Sequence, residues 1–219
     1  MNGWGEFTAA LTLFLLSHVF PVRPPLRPWL VRVLGLRGYI VGYSTVSIAL
    51  LIWLIVAASR APYVEVIPPL EVFRWAPMVA MPVAILLAVQ GLSIANPLSF
   101  GGMGKRPFDP DHPGILALTR HPLLLAIALW AGAHLLANGD LAHVVLFGLF
   151  GAFAVLSMGL IDRRKKRLLG AEWQELAKNT ALLSWRGAMP GLWVGVASVA
   201  LFLGLLALHA PVIGVSPLP

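Results

Sequence analysis

The sequence contains no cysteine and few charged residues, and both absences narrow its chemistry. Without thiols the chain has no disulfide, no zinc-thiolate site, no thiolate-bound haem and no ordinary iron-sulfur cluster. Charged residues make up 11% of the 219 residues, whereas soluble domains carry about 25%. Hydrophobic residues make up 58% of the chain. This composition predicts an integral membrane protein whose metal ligands, if it has any, are His, carboxylate or Met.

Acidic residues are scarcer than basic ones, with nine Asp and Glu against sixteen Lys and Arg and a formal net charge of +7. In a soluble protein such an excess would suggest nucleic-acid binding. Here the basic residues lie in short segments between apolar runs, which is the pattern that sets membrane topology. We therefore expect membrane lipid as a partner and no nucleic acid.

Six apolar runs approach the roughly 20 residues that a membrane-spanning helix needs. We predict spans at 6–22, 38–59, 76–95, 118–138, 141–161 and 188–209. No internal repeat or low-complexity linker divides the chain. The sequence therefore predicts an all-α, polytopic membrane helical bundle formed by a single domain, 1–219.

Lys and Arg residues are concentrated on one side of these predicted spans. All but Arg60 and Arg74 follow the first, third or fifth span. Since cytoplasmic loops are rich in Lys and Arg, both termini are predicted on the non-cytoplasmic side. The segment 162–186, with its basic run at 163–167, is predicted to be an amphipathic helix that lies on the cytoplasmic face against anionic headgroups. A stop-transfer charge cluster would explain the same run.

Histidines inside predicted spans are functional candidates because an ionisable side chain at membrane depth is costly. The chain has six histidines. We expect His143 and His209 at membrane interfaces and His112 in a polar loop. The remaining candidates are His18, His121 and His134.

Two neutral imidazoles from different helices are a natural way to hold a haem iron when no thiolate is available. His121 and His134 are thirteen residues, or about 20 Å, apart on one helix and cannot bind the same iron. The two candidate ligand pairs are His18 with His121 and His18 with His134. Similar depth in the membrane favours His18 with His121, and the pairing with His134 remains an alternative. Arg120 is a candidate partner for haem carboxylates, or a residue that reaches lipid phosphate.

Two stretches and one dipeptide carry a family resemblance. The sequence "GILALTRHPLLLAIALWAGAHLLANGD", followed by "LFGLFGAFAVLSMGLIDRRKKRLLG" and preceded by "SH" in the first span, resembles the NnrU family of bacterial membrane proteins over most of the chain. That family is similar to the plant and cyanobacterial 15-cis-zeta-carotene isomerase, which shares the Arg-His-Pro element and a histidine thirteen residues beyond it.

The resemblance implies a b-type haem in a multi-pass protein of the bacterial inner membrane. It implies His18 and His134 as the iron ligands, with His121 and Arg120 as supporting or alternative cofactor-binding residues. It also implies a link to nitrite and nitric oxide metabolism in denitrification, a small hydrophobic or nitrogen-oxide ligand, and haem-dependent isomerase-like activity as the enzymatic alternative. The substrate, the oligomeric state and the redox potential stay open.

Two further hypotheses compete with a haem protein. The Arg-His-Pro element and the later "RLLGAEW" are similar to isoprenylcysteine and phospholipid methyltransferases, in which such elements bind S-adenosylmethionine. Here a basic run replaces the acidic pair expected before the second element. The other hypothesis is a non-catalytic membrane partner whose basic segment recruits a denitrification enzyme or anionic lipid.

Overall fold

The computed structural model describes residues 3–186 and 190–219, and these residues are largely helical. They form seven α-helices and one short 3₁₀ helix, Gly114–Ala117, which precedes α4. The α-helices are α1 (Gly3–Val19), α2 (Leu26–Arg60), α3 (Glu71–Ser93), α4 (Pro122–Ala137), α5 (Leu141–Leu169), α6 (Ala171–Ala177) and α7 (Leu192–Ile213). The predicted all-α class is confirmed.

Four of the described helices, α2, α3, α5 and α7, are long and apolar enough to cross a membrane. The chain is thus a multi-pass membrane protein by helix length and composition. The other two predicted spans correspond to shorter helices, α1 with 17 residues and α4 with 16. At about 1.5 Å per residue these two helices measure roughly 26 and 24 Å, somewhat less than the roughly 30 Å of a hydrocarbon core.

The largest difference from the predicted boundaries is in α2, which begins twelve residues before the predicted span 38–59. Gly35 interrupts this helix with φ +71° and ψ 162°, a conformation that favours glycine. The piece after Gly35 matches the predicted span. The piece before it, residues 26–34, is an additional short helix where the sequence, with its prolines and arginines, suggested a loop.

The cytoplasmic segment predicted at 162–186 is divided in the structure. Its basic run continues α5 to Leu169, because Lys, Arg and Leu are good helix formers. Gly170, with φ +55°, separates this end from the short α6. The sixth predicted span begins at residue 188, which lies outside the described residues, and the described helix α7 begins at Leu192.

The described residues cluster into two compact units. Residues 3–66 and 140–146 form the first unit, in which α1 packs against α2. Glu6 on α1 accepts hydrogen bonds from Nε1 of Trp53 and Nη1 of Arg60, both at 3.3 Å. The buried hydrophobic residues of this helix pair are Phe7, Ala10, Phe14, Tyr39, Leu54, Ala57 and Ala58.

The second unit contains the remaining described residues, and in it α3 packs against α4 and α7. A Cβ added at Gly91 on α3 would lie 2.6 Å from Cγ of Pro122, so the absence of a side chain permits this close approach. The core cluster of the second unit consists of Ala84, Leu87, Ile115, Leu116 and Ala126. The predicted domain 1–219 includes both units, together with residues 1–2 and 187–189, which lie outside the described residues.

Candidate functional site

The segment leading into α4 is held by an extended stretch that follows α6. The N–H of Arg120 donates to the Ala181 carbonyl at 2.7 Å, and the N–H of Ser184 donates to the Leu118 carbonyl at 2.8 Å. The Thr119 hydroxyl donates to the Leu182 carbonyl at 2.9 Å. These bonds fix the backbone immediately before α4, where Pro122 occupies the first turn and gives up no helical hydrogen bond.

Arg120 is paired with Asp162 near the end of α5. Its Nε donates to both carboxylate oxygens, at 3.2 and 3.1 Å, and Nη2 donates to the same carboxylate. Its Nη1 donates to the carbonyl and hydroxyl oxygens of Thr180, both at 3.4 Å. Both charged side chains are largely buried, with 12% of Arg120 and 16% of Asp162 exposed. The guanidinium is thus satisfied by the chain's own carboxylate.

His121 lies beside Arg120 and is fully buried. Its Nε2 is 3.0 Å from Oδ1 of Asp162, and its Nδ1 is 2.8 Å from the hydroxyl of Ser99. Because a carboxylate that pairs with Arg120 only accepts hydrogen bonds, Nε2 of His121 donates to Asp162. In the neutral imidazole the Nδ1 lone pair then faces the Ser99 hydroxyl, so both ring nitrogens are engaged.

Two further side chains surround this cluster, which comprises Ser99, Arg120, His121 and Asp162. The ring of Trp173 on α6 lies under the Arg120 guanidinium at 5.6 Å and under the Lys166 ammonium at 5.5 Å, both within cation-π range. Asn96 donates to the Arg120 carbonyl at 2.9 Å, and its Oδ1 accepts from the N–H of Ser99 at 3.0 Å. The cluster therefore ties the α3–α4 connection to α5 and α6.

His18 is in the first unit, near the end of α1. Its Nδ1 lies 2.8 Å from the carbonyl oxygen of Phe14, one turn earlier. A carbonyl only accepts, so Nδ1 carries the proton and the neutral ring has its lone pair at Nε2. The ring packs against Phe14 at a centroid distance of 4.3 Å and meets Tyr43 of α2 edge-on at 5.8 Å.

His134, in the second unit near the end of α4, has the same local arrangement. Its Nδ1 is 2.8 Å from the carbonyl oxygen of Trp130, also one turn earlier. Its ring lies 5.7 Å from the Trp130 ring and 5.3 Å from that of Phe147 on α5. Both His18 and His134 thus have Nδ1 held by a backbone carbonyl within an aromatic environment.

The predicted site residues fall into separate groups. Arg120 and His121 share the Asp162 carboxylate, whereas His134 lies thirteen residues further along the chain and His18 belongs to the other unit. Among residues 3–186 and 190–219, no group of three or more His, Asp or Glu side chains is arranged to hold a metal ion. This finding concerns metal ions held entirely by protein side chains. A haem iron is a different case, because the porphyrin supplies most of its ligands and the protein supplies only one or two.

The other three histidines have local partners. Nδ1 of His112 lies 2.8 Å from the Asp109 carboxylate in an exposed loop, and this hydrogen bond raises the pKa of His112 and lowers that of Asp109. His143 pairs with Asp140 at 2.6 Å at the start of α5. His209 on α7 is bonded to the Val215 carbonyl at 2.8 Å.

Sequence reasoning missed Asp162 and Ser99. Asp162 carried a usable signal, because it is the one acidic residue between Asp140 and Glu172 and it directly follows the apolar run of a predicted span. An isolated acid at that depth needs a cationic partner, and Arg120 is predicted at the same membrane face. Ser99 carried no such signal, because its role depends on the fold of the α3–α4 connection.

A family model described as NnrU protein matches residues 6–217. The chain belongs to the NnrU family. The match covers almost the whole chain, including both units, so the resemblance noted at the Arg-His-Pro element extends to α1 and α7. No curated protein and no solved structure shows a significant match to the chain.

Proposed function

We propose that this NnrU-family protein binds a b-type haem in the bacterial inner membrane through His18 and His134. The proposal rests on an arrangement that the two imidazoles have in common. In each, Nδ1 donates a hydrogen bond to the backbone carbonyl one helical turn earlier. Metal-binding histidines commonly donate their second ring nitrogen to a carbonyl or carboxylate in this way, which fixes the ring and leaves Nε2 as the ligating atom.

The surroundings of both histidines fit a large apolar cofactor. His18 is flanked by Phe14 and Tyr43, and His134 by Trp130 and Phe147. Aromatic walls keep water away from an iron centre and influence its potential. A haem held by two histidines would supply a one-electron redox centre, which suits a role in nitrite or nitric oxide metabolism or a redox-gated, isomerase-like reaction.

Arg120 and His121 have a positioning role in this proposal. Both ring nitrogens of His121 are engaged and the ring is fully buried, which favours His134 over His121 as the partner of His18. Arg120 is satisfied by Asp162, which argues against its use for a haem carboxylate. These hydrogen bonds of Arg120 and His121 also argue against a methyltransferase, because that hypothesis assigns both side chains to S-adenosylmethionine.

The proposed topology has six membrane crossings with both termini on the non-cytoplasmic side. The four long apolar helices would cross fully, and the short α1 and α4 would cross with local thinning of the bilayer. The end of α5, with its basic run at 163–167, would then enter the cytoplasmic headgroup region, as the distribution of Lys and Arg indicates.

The ligand assignment is tested by single substitutions in protein purified from cells supplied with haem precursor. We expect His18→Ala and His134→Ala each to lose most of the Soret absorbance, because each removes one of the two side chains that would hold the haem iron. The matched control is His209→Ala, which removes an exposed histidine bonded only locally and should keep the wild-type spectrum.

The alternatives predict different results. Equal haem content in wild type, His18→Ala and His134→Ala would contradict the ligand assignment. Wild-type protein that lacks haem but binds S-adenosylmethionine by calorimetry would support the methyltransferase. Wild-type protein that lacks haem, and whose function depends on the charges at 163–167, would support the non-catalytic membrane partner.

A further inference from the structure

The short helix formed by residues 26–34 has no role in the proposed haem site. It precedes the long apolar part of α2, and Gly35, at φ +71°, separates the two. Because an L residue rarely adopts this conformation, the break is fixed by the glycine. Residues 26–34 therefore form a helical piece of their own, with a direction different from that of the piece that follows.

One side of this helix is apolar and exposed. Its apolar positions recur at the spacing of a single helical face: Leu26, Trp29, Leu30, Val33 and Leu34. Trp29 is 55% exposed, Val33 61% and Leu34 53%, so this face is not part of the core of the first unit. The apolar face includes a tryptophan, a residue enriched at the boundary between lipid and water.

Two basic residues flank this apolar face. At 100° per residue, Arg27 lies beside one edge of the face and Arg32 beside the other, and both are exposed. In the sequence no acidic residue occurs between Glu6 and Glu65, so the whole surrounding stretch is positively charged. The Arg27 guanidinium lies 5.7 Å from the centre of the Tyr39 ring. Within residues 3–186 and 190–219, no carboxylate forms an ion pair with Arg27. Uncompensated arginines beside an exposed apolar face complement anionic lipid headgroups.

We propose that residues 26–34 form a surface anchor that lies along the cytoplasmic leaflet and binds anionic phospholipid. Its apolar face enters the boundary between headgroups and acyl chains, and Arg27 and Arg32 contact lipid phosphates. The connection between the first two predicted spans, which contains residues 26–34, is on the side where Lys and Arg predict the cytoplasm. This inference goes beyond the proposed function and does not require that haem be bound.

Spin labelling tests the anchor directly, because the chain has no cysteine of its own. The test variant is Val33→Cys, on the apolar face, and the matched control is Val31→Cys, the same residue type about 200° away around the helix. Both labelled full-length proteins are reconstituted in vesicles of phosphatidylglycerol or of phosphatidylcholine. Accessibility to oxygen reports lipid contact, and accessibility to a water-soluble nickel complex reports solvent.

In phosphatidylglycerol we expect the label at 33 to be accessible to oxygen and protected from nickel, and the label at 31 to be relatively more accessible to nickel. Arg27→Gln with Arg32→Gln in the Val33→Cys background, or vesicles of phosphatidylcholine, should shift the label at 33 toward nickel accessibility. A label introduced by Tyr63→Cys in the α2–α3 loop should not shift, which controls for global unfolding.

Three results would overturn the proposal. The label at 33 could be as accessible to nickel as the label at 31 in phosphatidylglycerol. It could be protected from both reagents, which would place this face against protein. It could also contact lipid equally in both kinds of vesicle and without the arginines, which would mean that headgroup charge has no part in the contact.

Discussion

Asp162 accepts hydrogen bonds from Arg120 and His121 at the same time, in a largely buried position. Bringing these charges out of water is costly, and the cost is recovered only while all partners are present. The arrangement explains why an Arg-His pair directly precedes Pro122: the two side chains attach the start of α4 to α5, and Thr180 attaches the same point to the stretch after α6.

We predict that Asp162→Asn strongly destabilises the second unit, because it leaves the Arg120 guanidinium buried without its counter-charge. Loss of one partner of a buried ion pair costs about 3 to 5 kcal/mol of unfolding free energy. Because Arg120 and Asp162 keep some contact with solvent, we expect the lower value, about 3 kcal/mol. The measurement is the thermal unfolding midpoint in detergent. Glu172→Gln, which neutralises an exposed acid on α6, is the control. Equal midpoints for the two variants would contradict this account of the cluster.

His112 provides a prediction for pH dependence outside the membrane. Its bond to Asp109 raises the pKa of His112 above the ordinary value of 6.5. While Asp109 is ionised, the stabilisation from this pair is complete below pH 6.5 and is lost as pH rises through the raised pKa of His112. Both side chains are exposed, so the effect on stability is small. NMR titration should show the His112 pKa falling back toward 6.5 in Asp109→Asn. An unchanged His112 pKa would show that the pair does not form in solution.

At the residue scale, the sequence predicted which of several histidines lie in a loop and which lie inside helices. His112 is in a polar loop, and His18 and His134 are in α1 and α4, as predicted. The carbonyl bonds of His18 and His134 follow from helical geometry. The partners of His121 could not be predicted, because Ser99 and Asp162 approach it from distant parts of the chain.

The contact between α3 and α4 is close at Gly91. A Cβ at Gly91 would lie 2.6 Å from Cγ and 2.9 Å from Cβ of Pro122, and the proline ring has little freedom to move aside. Helix pairs in membranes commonly use small residues for such approaches. Gly91 therefore sets the distance between the two helices at this point.

We predict that Gly91→Ala lowers stability by about 1 to 3 kcal/mol, because the added methyl group forces the two helices apart. Gly132→Ala on α4 is the control, since a Cβ there meets no atom within 4 Å and alanine favours the helix. Thermal unfolding in the same detergent should place Gly91→Ala below wild type and Gly132→Ala at or above it. The reverse order would contradict the close contact.

Helix positions were largely predictable from apolar length, and helix ends were not. The span predicted at 38–59 lies within α2, but the break at Gly35 depends on a backbone conformation that the apolar pattern does not record. The extension of α5 through the basic run was missed because a charge cluster ends a membrane span without ending a helix. Both errors have one cause. Hydropathy indicates which segments are stable in lipid, and it does not record where the backbone hydrogen bonding of a helix begins and ends.

For the whole molecule, composition alone predicted the class, since a chain with 58% hydrophobic and 11% charged residues must bury its surface in lipid. Sequence also predicted the family, and the match over residues 6–217 confirms it. The division of the described residues into two units was not predicted, because it depends on which helices pack together. The Arg120–Asp162 pair was not predicted either, although Asp162 carried a usable signal as an isolated acid at the end of a predicted span.

The most direct test of the haem proposal is the molar ratio of haem to protein in the purified, detergent-solubilised wild-type chain. A pyridine haemochrome spectrum identifies the haem type, and amino-acid analysis gives the protein concentration. Because one pair of histidines holds one iron, we predict about one b-type haem per chain. Protein that is folded and helical by circular dichroism but stays colourless after expression with ample haem would contradict the proposal.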